Sequence, residues 1–150
     1  MNLTEVVKTH RQNVIEDSLA ELSRSSLKHY SGNPEDVNRE RLTALFDKSL
    51  ECLELRNLVP MTLFAESIAK KRFGEGYLLQ EVQTAFNVLE EVLWQLIIEK
   101  VQPPDYPEAL GLISSVMGAG KQSLAVEYVA LVTGSPAKKD KDITQLFHGT

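Results

Sequence analysis

The chain is poor in the residues that most often carry chemistry. Of its 150 residues one is cysteine, Cys52, and three are histidine, His10, His29 and His148. A lone cysteine forms no internal disulfide. The amino terminus, MNLTEVVKTHRQNVIED, is amphipathic and charged throughout, unlike a signal peptide, so a cytoplasmic protein is expected. No Glu-x-x-His pair of the kind that builds a di-iron bundle occurs. No histidine falls between His29 and His148, where a globin-like chain needs its proximal haem ligand, so no metal or other cofactor is expected. Positive charge is in deficit: 16 Lys and Arg against 21 Asp and Glu give a net charge of -5, which disfavours a nucleic-acid partner. Long apolar runs are also missing. The longest uncharged stretch, Ala109 to Gly120, is interrupted by glycine and serine and falls short of the roughly 18 apolar residues of a membrane span, so no membrane association is expected. Neither an alternating strand pair nor an internal repeat is present.

What remains is helical periodicity cut by glycine and proline. The breaks are YSGNP (Tyr30–Pro34), NLVP (Asn57–Pro60), FGEGY (Phe73–Tyr77), QPPDYP (Gln102–Pro107) and TGSP (Thr133–Pro136). The first segment, Leu3 to Tyr30, places Leu3, Val7, Val14, Leu19, Leu22 and Tyr30 at helical intervals, with a bend expected at Ser23–Leu27. In the second, Asn33 is expected as the N-cap and Pro34 at the first helical position, ahead of a stripe of Leu42, Leu45, Phe46, Ser49, Leu53 and Arg56. The third, Met61 to Phe73, ends in basic residues before Gly74 and turns Phe64, Ala65, Ile68 and Arg72 inward. The fourth, Leu78 to Val101, has the clearest pattern, with Leu79, Val82, Phe86, Leu89, Leu93 and Leu96 recurring every three or four residues. The fifth, Pro107 to Val132, repeats it with Leu110, Ile113, Met117, Leu124, Tyr128 and Leu131 and should pack along the fourth. These segments predict an all-α antiparallel bundle of four to five helices over 1–133, followed by a flexible tail or linker start over 134–150, in which ITQLF is a candidate docking segment.

VMGAGKQSL, Val116 to Leu124, has the flavour of a phosphate-binding loop but fails it. Ser115 stands where the first glycine belongs, Gln122 follows the Gly-Lys pair, and no strand leads in. Gly120 instead falls on the stripe of Met117 and Leu124, so it is expected inside a helix at a close approach, with Lys121 dispensable for stability. Glu90, at the edge of the fourth stripe, and Glu127, on the fifth, lean inward, as do Arg56 and Arg72. Buried charges require partners, so these four form either an interhelical ion-pair network or a polar ligand pocket. Adjacent Glu90 and Glu91 point apart and make no acid-base pair. Cys52 reads as a small buried hydrophobe. Trp94 and Ile98, off the main stripe, form either a homodimer seam or an ordinary packing surface.

The stretch SIAKKRFGEGYLLQEVQTAFNVLEEVLWQLII, Ser67 to Ile98, resembles the amino-terminal sensory domain of RsbRD-type RsbT co-antagonist proteins and related histidine-kinase input domains. A basic helix end leads through a glycine turn into a long helix carrying Phe86 and Trp94, and looser likeness extends from Asn13 to Val132. The resemblance implies an all-helical, non-enzymatic input domain of bacterial signalling and stress-response regulation. Such a domain senses by binding a protein partner or a small ligand between its helices and usually feeds an attached output domain, so either a stand-alone version or a fragment whose tail begins a linker is expected. The alternative expectation is a small enzyme or ligand-binding protein with a polar pocket around Glu90, Glu127 and Arg72.

Overall fold

A computed structural model describes residues 2–25 and 32–135. Among the described residues there are six helices: α1 (Leu3–Thr9), α2 (Arg11–Ser23), α3 (Glu35–Leu55), α4 (Val59–Gly74), α5 (Leu79–Lys100) and α6 (Tyr106–Thr133), with a short 3-10 turn at Pro103–Asp105 before the last. No strand occurs among the described residues, and the molecule is the all-α bundle its periodicity predicts. No helix there is long and apolar enough to cross a membrane. His29, Tyr30, His148 and the ITQLF segment lie outside the described residues.

Long-range side-chain pairs fix the helix directions. Lys8–Glu54, Arg11–Asp47 and Arg39–Glu16 pair the amino-terminal helices antiparallel to α3. Along α5 and α6 the pairs run Tyr106 to Ile98, Lys121 to Glu90 and Tyr128 to Tyr77, again antiparallel. Between α4 and α6 the order is reversed: Gly120 meets Met61 and Tyr128 meets Phe73, so these two helices run parallel. The packing is tight at Gly120, where an added Cβ would lie 2.7 Å from Phe86 Cε2 and 3.0 Å from Met61 Sδ. The expected close-packing point is therefore real, and it joins α4, α5 and α6. Gly118, two residues earlier, faces open space.

Several local expectations are corrected by tertiary demands. The first segment is not continuous. It breaks at His10, whose ring nitrogen Nδ1 lies 2.9 Å from the Val6 carbonyl oxygen, and α2 ends at Ser23, whose hydroxyl donates to the Ala20 carbonyl. Side-chain bonds of this kind compete with the helical ladder. Asn33 is not the N-cap of α3. Pro34 caps it with extended geometry (ψ 146°), and the Asn33 amide donates to Asn38 Oδ1 and to the Tyr77 hydroxyl. Arg56 does not face inward. It is exposed beyond the α3 carboxyl terminus in the left-handed region, at φ 54°.

The glycine that stops α4 is Gly76, not Gly74. Gly76 takes φ 87°, its amide donates to the Phe73 carbonyl, and the Tyr77 amide donates to the Arg72 carbonyl. That is the double closure of a Schellman turn. It aims Tyr77 back under the bundle and leaves Glu75 at the cap, half exposed. The Glu81 carboxylate then reaches back to accept from the Leu78 amide at 2.9 Å, which starts α5.

Candidate ligand cavity and its arginine cap

The Schellman turn places Tyr77 against two arginines from different helices. Arg41 of α3 and Arg72 of α4 bring their guanidinium carbons to 5.7 Å and 5.8 Å from the Tyr77 ring centroid. Such distances permit cation–π attraction. The Tyr77 hydroxyl accepts from Arg41 at 2.7 Å and from Asn33 at 2.9 Å, and the Tyr77 carbonyl accepts from the Tyr128 hydroxyl at 3.1 Å. Tyr77 itself is buried. One tyrosine thus ties α3, α4 and α6 together at one end of the bundle.

A single carboxylate bridges the two guanidiniums. Glu75 Oε1 accepts from Arg72 Nη1 at 2.9 Å, and Glu75 Oε2 lies 3.5 Å from Arg41 Nη2. Exposure differs sharply across this trio, since the side chains of Arg72, Arg41 and Glu75 are 10%, 27% and 45% exposed. The cations are held inside and their anion stands outside. Tyr128, packed edge-to-face on Phe73, has its hydroxyl ionisation pushed upward by burial.

Beneath this cap lies a cavity of about 30 Å³ between α2, α3, α4 and α5. Its polar lining is Asn38, Arg41 and Arg72; the remaining walls are apolar, with Leu22, Leu42, Leu45, Phe64, Ile68, Val82, Ala85 and Phe86. Space of this size holds roughly two waters or a small apolar group.

The residues singled out in the sequence take separate places. Arg72 belongs to the cap. Glu127 is buried one position before Tyr128, at the same end of α6. Glu90 sits about 16 Å further along α5 at 1.5 Å per residue from Leu79, where its carboxylate accepts from Lys121 at 2.9 Å; Lys121 also donates to Asn87. Arg56 stands apart at its turn. Trp94 and Ile98 are exposed, at 40% and 56%.

No family model, curated protein or solved structure matches this chain. Among the described residues no group of three or more His, Cys, Asp or Glu side chains is placed to hold a metal ion. Cys52 is fully buried, and burial pushes its thiol up to about 11, so it is a poor nucleophile near neutrality.

Reading residues in isolation missed Arg41, Glu75 and Tyr77. Glu75 and Tyr77 lie inside FGEGY, which marks a turn and gives no sign that it recruits a residue from α3. Arg41 precedes Leu42 on the edge of its apolar stripe, and edge arginines usually snorkel to water.

Proposed function

We propose that this chain is a non-enzymatic regulatory input module of bacterial signalling, which senses by taking up a small ligand between its helices and passing the change to a protein partner. The observation that carries this reading is the partly open cavity among four helices, apolar along most of its walls and lined also by two arginines that share an exposed carboxylate. Ligand sites generally combine apolar walls with a few convergent polar groups. The likeness of Ser67–Ile98 to RsbRD-type sensory domains supports the same reading, because that stretch contains the turn and the helix that build the cap.

A sensor must also hand its state on. Trp94 and Ile98, one turn apart on α5 and both exposed, offer the apolar strip on which a second copy of the chain would sit. Thermal-shift screening against a metabolite library and sedimentation velocity test the proposal together. The expected result is a stabilising shift with at least one ligand class and a dimer that Ile98→Asp converts to monomer without lowering the melting temperature. A strict monomer that no metabolite stabilises would refute it.

A further inference from the structure

We infer that the cavity is a site for a small aliphatic monocarboxylate, and that the Glu75 carboxylate holds the place its headgroup takes. The inference rests on the regulatory reading above and gives it a ligand class. Three observations lead to it. Arg41 and Arg72 both line the same cavity, whose remaining walls are apolar apart from Asn38. The two already converge on one carboxylate, with contacts of 2.9 Å and 3.5 Å, so their spacing suits a two-oxygen anion. That carboxylate belongs to the most exposed member of the trio and sits on a turn between two glycines, where rotation about its side-chain bonds carries it into water.

The apolar tail would fill the space between Leu42, Leu45, Phe64, Ile68, Val82 and Phe86. At about 30 Å³ that space selects short chains, since a long one must force the walls apart. Primary amines are excluded by the two cations. Alcohols match the tail but leave the guanidiniums on Glu75.

Exchange of Glu75 for a ligand has a structural consequence. Glu75 is one of two links from the α4–α5 turn to Arg41 of α3, the other being the Tyr77 hydroxyl. A bound anion takes over both arginines and frees the turn's carboxylate, so occupancy is reported at the FGEGY turn on the outside of the bundle. This is a local electrostatic exchange with a readout away from the cavity.

The test is calorimetric and NMR titration of the full chain with propionate, butyrate, hexanoate and octanoate, alongside the matching alcohols and amines. Short-chain carboxylates should bind at least about tenfold more tightly than their alcohols, from the charge-assisted bonds involved, with octanoate weaker than butyrate and shifts centred on Gly74, Gly76 and Tyr77. Glu75→Gln removes the internal competitor and should tighten binding several-fold. Because it changes an exposed side chain, it tests the idea without threatening the fold. Arg41→Gln should weaken binding about tenfold or more, and Arg41→Lys should recover only part of it.

Equal affinity for carboxylates and alcohols, unchanged affinity in Glu75→Gln, or no carboxylate binding to either protein would each overturn the inference. Stabilisation by a metabolite of another class, with carboxylates inert, sinks this inference and leaves the regulatory reading standing. Silence across the whole library, with a strict monomer, removes both.

Discussion

At the scale of single residues, two glycines on α6 make opposite predictions. Gly118 faces open space in a helix interior, so Gly118→Ala should raise stability by roughly 0.5–1 kcal/mol through helix propensity alone. Gly120→Ala drives a methyl to 2.7 Å from the buried Phe86 ring and should lower stability by about 1 kcal/mol despite the propensity gain, while Gly120→Leu should cost about 3 kcal/mol or prevent folding. Urea denaturation of the three variants checks the set, and a stable Gly120→Leu would contradict the tight contact of Gly120 with Phe86 and Met61. Lys121 is the residue whose standing changes most between sequence and structure. Its pattern suggests a dispensable surface lysine, but it neutralises Glu90, whose side chain is only 13% exposed, so Lys121→Ala should cost roughly 1–2 kcal/mol. Ser18 reverses the usual sign: its hydroxyl is fully buried without a hydrogen-bond partner, and Ser18→Ala should be neutral or stabilising by up to about 1 kcal/mol.

At the scale of elements, helix ends decide more than helix interiors. α3 closes on Arg56 in a left-handed conformation that L-residues other than Asn and Asp seldom adopt. Arg56→Gly should therefore raise stability by about 1 kcal/mol. α4 closes on Gly76 at φ 87°, and Gly76→Ala should lower stability by a similar amount with the opposite sign, because only glycine takes that geometry freely. Thermal melts of this pair measure the two caps directly, and a neutral Gly76→Ala would mean that the turn relaxes. Helix interiors were legible beforehand because a buried stripe repeats every three or four residues. The ends were less so: Asn33 is a good N-cap by chemistry, yet Tyr77 and Asn38 claim its amide.

At the scale of the whole molecule, burial of Cys52 links the fold to alkaline pH. The folded thiol titrates near 11 instead of its ordinary value near 9, so its contribution is complete below about pH 9 and is lost as pH rises towards 11, where the unfolded chain ionises first. Tyr128, raised by burial, acts in the same direction. Stability should thus fall between about pH 9 and about pH 11 by no more than about 3 kcal/mol from the thiol, and Cys52→Ala should flatten that slope. At neutral pH, iodoacetamide should label Cys52 at least about a hundredfold more slowly in the folded chain than in urea. The sequence by itself determined most helix interiors, the all-α class, the burial of Cys52 and the close packing at Gly120, because each depends on periodicity along the chain. It also turned VMGAGKQSL from an apparent phosphate loop into a helix, through the missing strand and the wrong spacing. Only the tertiary structure decided which charges meet. Arg41, Arg72, Glu75 and Tyr77 come from three elements spread over 37 positions of the chain, and their pairing depends on how α3 lies across the α4–α5 turn. No local pattern encodes that, since an arginine at the rim of an apolar stripe looks the same whether it snorkels to water or closes a cavity.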